Sequence, residues 1–197
     1  FMVLFSFTMT AMATTIGVTG LDSWTRVQFS LGNTVFNEYA GEIKITVDGI
    51  ATSAYCVDLY HTTYVPSGPY NNVTLAGLNT IRNGAQAAWL MNQYCGGTAI
   101  ENAALQLAIW GVEYGSEETP FSYIGDTSFG TVGYYFNQYM SALGSNFYTG
   151  SQYQIAPLAP AAQNLLVKNP APVPEPATLL LLGSGLLGLA GFRRKSR

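Results

Sequence analysis

The stretch EIKITVDGIATSAYCVD, residues 42–58, places an Asp-Gly pair between two segments of β-like sequence. In the first segment polar and apolar side chains alternate, which is typical of a strand with one buried face. Asp-Gly between two such segments is a strong signal for a two-residue hairpin turn. The stretch therefore predicts a β-hairpin and decides which face of each strand is buried.

The register of this hairpin predicts the orientation of its cysteine. A two-residue turn pairs Val47 with Ile50, and counting along both strands then places Cys56 opposite Gly41. Cross-strand partners share a face of the sheet, and this face carries the apolar side chains. We therefore expect Cys56 to point into the core, beside a residue that has no side chain.

Outside the hairpin, the pattern predicts strands first and helices afterwards. The strand-like segments RVQFSLG and TVFNEYA precede it, and QYQIAPL predicts a late strand. Apolar spacings of three and four residues predict helices at residues 79–94, 99–115 and 133–143. The predicted fold class is α+β: a β-sandwich or partial barrel with a helical insertion, followed by a C-terminal membrane-sorting helix.

The composition excludes disorder and nucleic-acid binding. Charged residues make up 10% of the 197 residues and aromatic residues 13%, which is too apolar and aromatic for a disordered chain. Four of the eight basic residues lie in the last five positions, so the rest of the chain has four basic residues against eleven acidic ones. An acidic surface repels phosphate, and we therefore expect one acidic domain with no nucleic-acid partner.

Both ends of the chain are expected to be targeting segments. Residues 1–13 are apolar and end in Ala-Met-Ala, which predicts a signal peptide that is truncated before its basic start. Residues 177–192 are apolar and would span about 24 Å as a helix, short of a hydrocarbon core of about 30 Å. The basic residues that follow would stay in the cytoplasm and stop translocation: Arg193, Arg194, Lys195 and Arg197. We expect a transient anchor in the inner membrane.

The tail resembles the PEP-CTERM sorting tail of exported bacterial proteins. Val173, Pro174, Glu175 and Pro176 precede the apolar segment and the terminal basic residues, in the order of that tail. The resemblance implies cleavage near this motif by an exosortase, a membrane-embedded cysteine protease. It further implies a Gram-negative host that makes exopolysaccharide, and a final location in the cell envelope or extracellular matrix.

These segments predict the domain organisation. The signal peptide covers residues 1–13, and the exported globular domain covers residues 14–168. A Pro-rich spacer with the PEP motif covers residues 169–176. The transmembrane segment at residues 177–192 and the basic cytoplasmic tail at residues 193–197 follow the spacer.

No residue pattern indicates an enzyme, a metal site or a cofactor. The chain has one histidine, His61, and two cysteines, and we interpret His61 as a surface or packing residue. Zinc-binding, phosphate-binding and catalytic-triad motifs are absent from the sequence. We therefore expect a non-enzymatic protein that holds no cofactor and no metal.

A glutamine interrupts the apolar stripe of the second predicted helix. Ala103, Gln106 and Trp110 lie on one face at spacings of three and four residues. A buried amide without hydrogen-bond partners costs about 1–3 kcal/mol. Gln106 is therefore expected either to find partners or to be consumed chemically.

Two motifs resemble those of the thioester domains of bacterial surface adhesins. They are YCVD at residues 55–58 and LQLAIW at residues 105–110, where Leu105 replaces the threonine of the family motif. The resemblance implies an internal thioester in which Cys56 supplies the thiol and Gln106 the acyl group, supported by the other residues of the stripe. Such a thioester acylates an amine or hydroxyl nucleophile on a surface or on a matrix polymer such as exopolysaccharide.

The alternative is a Cys56–Cys95 disulfide, which an oxidising compartment would favour. It would close a loop of about 40 residues and stabilise the fold by about 4 kcal/mol. The two alternatives exclude each other because both need Cys56. The predicted function is an exported envelope or matrix protein, with a covalent adhesin and a disulfide-stapled carbohydrate-binding matrix component as alternatives.

The short, glycine-containing tail segment generates a first prediction. Neutral residues in place of Arg193, Arg194, Lys195 and Arg197 should release uncleaved protein into the periplasm, because the basic stop holds a marginal helix in the membrane. Fractionation and immunoblotting measure this release. Complete membrane retention with normal processing of the neutralised protein would contradict the transient-anchor hypothesis.

Overall fold

A computed structural model of the chain describes residues 13–170, and the predicted hairpin lies in the middle of its sheet. The strands are β1 Thr14–Leu31, β2 Thr34–Val47, β3 Ile50–Cys56, β4 Ser67–Val73, β5 Phe121–Tyr123, β6 Tyr153–Ala156 and β7 Leu165–Lys168. The helices are α1 Gly84–Tyr94, α2 Ala99–Tyr114 and α3 Val132–Leu143. The predicted cleavage region before residue 13, the PEP motif, the transmembrane segment and the basic tail lie outside the described residues.

The strands form one curved antiparallel sheet in the order β4-β1-β2-β3-β7-β6, and the short β5 pairs with the other end of β1. Ala76, just after β4, exchanges two backbone hydrogen bonds with Ile155 of β6, at 2.8 and 2.9 Å. The sheet thus curves so that β6, at one end of the strand order, meets the segment that follows β4, at the other end. This half-barrel agrees with the partial-barrel alternative and not with a sandwich of two sheets. Within residues 13–170, no helix is long and apolar enough to cross a membrane.

The hairpin register is confirmed near the turn and wrong at its open end. Val47 pairs with Ile50, and the last pair of the β2–β3 ladder is Ile43 with Ala54. The ladder does not extend to Gly41 and Cys56, although Gly41 stays paired with Trp24 of β1 on the other edge of β2. A Cβ at Gly41 would lie 2.7 Å from the Trp24 Cα, so β1 approaches this residue too closely for any side chain.

Helix α2 is buried on all sides, not along a single stripe. Every residue of the range 102–113 is buried, because the helix packs between the sheet on one side and α1 and α3 on the other. Its ends follow the sequence: Thr98 and Glu101 form a capping box at the start, and Gly115 caps the end. A polar side chain on such a helix has to find its hydrogen bonds within the protein.

Asn102 bonds the first turn of α2 to the sheet. Its carboxamide oxygen accepts hydrogen bonds from the Tyr55 hydroxyl at 2.9 Å and from the Gly97 N–H at 3.2 Å. Its nitrogen donates to the Gly97 carbonyl at 2.9 Å and to the buried Glu42 carboxylate at 3.3 Å. The Asn102 side chain thereby sets the position of α2 against β2 and β3, one turn before Gln106.

Replacing Asn102 with leucine should lower the free energy of unfolding by about 1–3 kcal/mol. The Tyr55 hydroxyl and the Glu42 carboxylate would each lose a hydrogen-bond partner, while the volume of the side chain at position 102 changes little. Urea unfolding measures the change. Tyr55→Phe is the matched control; it removes one of these hydrogen bonds and should cost about 1 kcal/mol or less. Equal stability of Asn102→Leu and the unmodified protein would show that this network does not hold α2 to the sheet.

Candidate functional site

The Gln106 side chain is bonded to the main chain of Cys56. The Cys56 N–H donates to Gln106 Oε1 at 2.9 Å, and Gln106 Nε2 donates to the Cys56 carbonyl at 2.7 Å. Both residues are almost fully buried, with 2% of Gln106 and 3% of Cys56 exposed. The structure therefore brings the two predicted residues together, through the carboxamide and the backbone.

The Gln106 carboxamide takes the hydrogen-bonding position of a strand residue that Cys56 lacks on its β2 side. In a hairpin with a two-residue turn, every second pair exchanges two backbone hydrogen bonds, and the register makes Gly41 and Cys56 such a pair. The β2–β3 ladder ends at the pair of Ile43 and Ala54. The Gln106 carboxamide therefore supplies the donor and the acceptor that Gly41 would have supplied to Cys56. The buried amide is thus satisfied by a strand edge.

The Cys56 thiol is held by the backbone of Asp58. Sγ donates to the Asp58 carbonyl at 3.0 Å and lies 3.2 Å from the Asp58 N–H. Burial raises the pKa of the Cys56 thiol to about 12, against the smaller lowering effect of this N–H. The thiol is therefore protonated at neutral pH and unreactive towards reagents in solution.

A cavity of about 190 Å³ reaches the contact between the two residues. Cys56, Gln106 and Trp110 line its inner wall, and the exposed side chains of Tyr39 and Tyr60 line its outer part. Trp110 packs against Phe29 with ring centroids 5.4 Å apart, while Ala103 is fully buried in the core and does not line the cavity. The cavity gives a small molecule or the end of a side chain access to an otherwise buried pair.

An aspartate–histidine pair lies at the same cavity. His61 Nδ1 is 2.7 Å from Asp58 Oδ2, and the other carboxylate oxygen accepts the Tyr60 N–H at 3.0 Å. His61 lines the cavity with 41% of its side chain exposed. This exposure agrees with the interpretation of His61 as a surface residue, which did not include its contact with Asp58. The spacing of three residues between Asp58 and His61, directly after the cysteine motif, is the signal that could have indicated it.

Glu113 is a second acidic side chain near this site, on the face of α2 that carries Gln106 and Trp110. Its Oε2 is buried and has no hydrogen-bond partner within residues 13–170; the same holds for the indole nitrogen of Trp110. Burial, with a smaller contribution from the nearby Asp58, raises the pKa of Glu113 to about 8. The side chain is therefore mostly protonated at neutral pH.

Cys95 does not reach Cys56, and both thiols are free. Cys95 is half-buried beside the hydroxyl groups of Ser53 and Tyr55. Consecutive residues of a strand point to opposite faces, so Tyr55 and Cys56 project to different sides of β3. The disulfide alternative is not formed in this structure, because the two thiols lie on opposite sides of that strand.

Comparison with known proteins identifies the tail. Residues 172–195 match the PEP-CTERM protein-sorting motif, which includes Val173, Pro174, Glu175 and Pro176. The motif implies export to the cell envelope or extracellular space and processing by an exosortase, a membrane protein. No curated protein and no solved structure matches the chain.

The electrostatics of Glu113 generate a prediction about pH dependence. The folded state favours the protonated carboxyl, since the pKa lies at about 8 instead of the ordinary 4.5. The free energy of unfolding should therefore fall as pH rises from about 4.5 to about 8, and Glu113→Gln should remove this loss. At pH 9 the variant should be more stable by roughly 1–3 kcal/mol, and at pH 4.5 it should equal the unmodified protein.

Urea unfolding at both pH values measures this difference. Glu117→Gln, in an exposed loop, is the matched control and should not change the pH dependence. If Glu113→Gln follows the pH dependence of the unmodified protein, Glu113 is ionised in the fold at no cost.

Proposed function

We propose that the protein is a non-enzymatic adhesin of the cell envelope or extracellular matrix, which attaches covalently through a thioester between Cys56 and Gln106. One observation carries the proposal: the Gln106 carboxamide is bonded to the main chain of Cys56, next to the thiol, at the inner wall of a cavity. The match to the sorting motif supports an exported location.

Thioester formation needs no component beyond the two side chains. Sγ of Cys56 attacks Cδ of Gln106, the bond from Cδ to Nε2 breaks, and ammonia leaves with the thiol proton. The raised pKa of Cys56 makes the thiolate rare, so proximity has to supply the rate. The two hydrogen bonds to the Cys56 main chain favour this step, because they hold the carboxamide beside the residue that attacks it.

Burial and access suit the use of such a bond. A thioester at the inner wall of the cavity is shielded from bulk water, which slows its hydrolysis, while a narrow nucleophile can still enter. An amine or hydroxyl group of a surface molecule or of exopolysaccharide would attack Cδ and release the Cys56 thiol. The acceptor would then be attached to Gln106 through an amide or an ester.

The tail supplies the route to the place of attachment. In this proposal the segment at residues 177–192 holds the exported chain in the inner membrane of a Gram-negative bacterium until an exosortase cuts near Pro174-Glu175-Pro176. The released domain then acts in the envelope or in a biofilm matrix. The acidic character of the chain before its last five positions, with four basic against eleven acidic residues, supports partners other than nucleic acid.

Exposed aromatic side chains support a second candidate, the non-covalent binding of a matrix carbohydrate. Trp24 and Tyr39 are about half exposed and meet edge to face, with ring centroids 4.8 Å apart, and Tyr39 also lines the cavity. Aromatic faces of this kind can stack on sugar rings. Retention of an exopolysaccharide by Cys56→Ala in a pull-down would favour this second function over covalent attachment.

Intact-protein mass spectrometry tests the thioester. The exported protein should be lighter than its processed sequence by one ammonia, and methylamine should restore the mass at Gln106 and release the Cys56 thiol, which can then be alkylated after unfolding. Gln106→Ala should abolish both the mass deficit and the adduct. Gln93→Ala, which removes an exposed glutamine that does not line the cavity, should retain both.

A different mass change would reject the proposal. Loss of only two hydrogens, with Cys56 and Cys95 recovered in one linked peptide, would identify the disulfide-stapled alternative. A protein of full mass that is alkylated at Cys56 after unfolding would leave the thioester without support and favour non-covalent binding.

A further inference from the structure

We propose that His61 is the general base of the acyl transfer, the group that takes the proton from the attacking nucleophile, and that Asp58 orients it. This inference rests on the proposed thioester and adds a catalytic residue to it. Three features carry it: the position of His61 at the cavity, its contact with a buried carboxylate, and the contact of that same aspartate with the cysteine sulfur.

His61 is accessible to an acceptor that enters the cavity. It lines the cavity that Cys56 and Gln106 also line, and its side chain is 41% exposed, so an entering acceptor passes it. It is the only histidine in the chain. Glu38 also lines the cavity and carries a carboxyl group, but it lies in the outer part with Tyr39.

The Asp58 carboxylate orients the imidazole. A hydrogen bond of 2.7 Å joins His61 Nδ1 to Asp58 Oδ2, and Asp58 is itself buried. An aspartate that accepts the Nδ1 proton leaves Nε2 unprotonated, which is the tautomer that a base requires. The Tyr60 N–H holds the other oxygen of this carboxylate, so the pair has a defined geometry.

Asp58 also connects the base to the leaving group. The main chain of Asp58 contacts Cys56 Sγ through both its N–H and its carbonyl, while its side chain contacts His61. Gln163 donates to the same carbonyl at 2.9 Å and ties this segment to the loop before β7. One residue thereby fixes the position of the sulfur that leaves relative to the base that takes up the proton.

The proton then has a complete path through the reaction. A neutral amine attacks Cδ of the thioester, and Nε2 of His61 removes a proton from the attacking nitrogen. The bond between Cδ and Sγ breaks, and the imidazolium gives the proton to the Cys56 thiolate. The products are an amide at Gln106, a free thiol at Cys56 and a neutral His61, so that atoms and charge balance.

The test follows the rate of methylamine incorporation into the exported protein by intact mass. His61→Asn keeps an N–H donor for Asp58 and lacks the base, so it should retain the ammonia deficit while incorporation slows about 100-fold. His61→Ala should be equally slow, and added imidazole should restore part of its rate. Thr62→Ala, at the next cavity-lining residue, is the control and should react at the unmodified rate.

Asp58 acts through His61, so its contribution should depend on His61. Asp58→Asn should slow incorporation in the unmodified chain and cause no further loss in the His61→Asn background. A purely structural effect of Asp58→Asn would persist in both backgrounds.

The outcomes separate the two proposals. A normal ammonia deficit with equal incorporation rates in His61→Asn and the unmodified protein would overturn the role of His61 and leave the thioester standing. The absence of any deficit in the unmodified protein would overturn the thioester itself. A retained deficit, slow incorporation and rescue of His61→Ala by imidazole would establish the base.

Discussion

The hydrogen bonds between the Gln106 carboxamide and the Cys56 main chain satisfy two sets of buried polar groups, one on helix α2 and one on strand β3. Helix α2 is enclosed on every side, so a glutamine on it cannot reach bulk water. On the side of β3 that faces β2, Cys56 has no strand partner, because the β2–β3 ladder ends at Ile43 and Ala54; β7 pairs with Cys56 on the other side. Each unpaired group would cost about 1–3 kcal/mol, and pairing them removes that cost at both sites. The position of α2 against the half-barrel depends on this contact and on Asn102 one turn earlier.

The same contact sets the chemistry of the site. A thiol with a pKa of about 12 is protonated at neutral pH, and the Gln106 carboxamide is hydrogen-bonded to the main chain of the same residue. The half-buried Cys95 stays on the other side of β3 and cannot compete for this thiol within the fold. In the proposed function, such a site stays inert towards bulk solvent while the chain is exported, and it is open to a nucleophile that fits the cavity.

Turn and capping motifs in the sequence predicted the structural elements that depend on neighbouring residues. The Asp-Gly turn set the register from Val47–Ile50 to Ile43–Ala54, and the start and end of α2 follow from Thr98, Glu101 and Gly115. Helix α1 begins later than its periodicity suggested, at Gly84, because the preceding Asn83 has a left-handed backbone with φ of 52°, which a right-handed helix cannot include. The strands β4, β5 and β7 were not predicted, because each gains its hydrogen bonds from a strand that is distant in the chain.

The sequence by itself determined the hairpin, the inward orientation of Cys56, the three helices and the sorting tail, because turn chemistry, periodicity and a contiguous motif are properties of neighbouring residues. Only the tertiary structure decided that Gln106 replaces Gly41 as the partner of Cys56, that His61 lines the same cavity as Cys56 and Gln106, and that Cys95 lies apart. These relations join segments about 50 residues apart in the chain, such as Cys56 and Gln106. They depend on where the β2–β3 ladder ends and on how α2 packs against the sheet, and no pattern along the chain records a distance between two backbones.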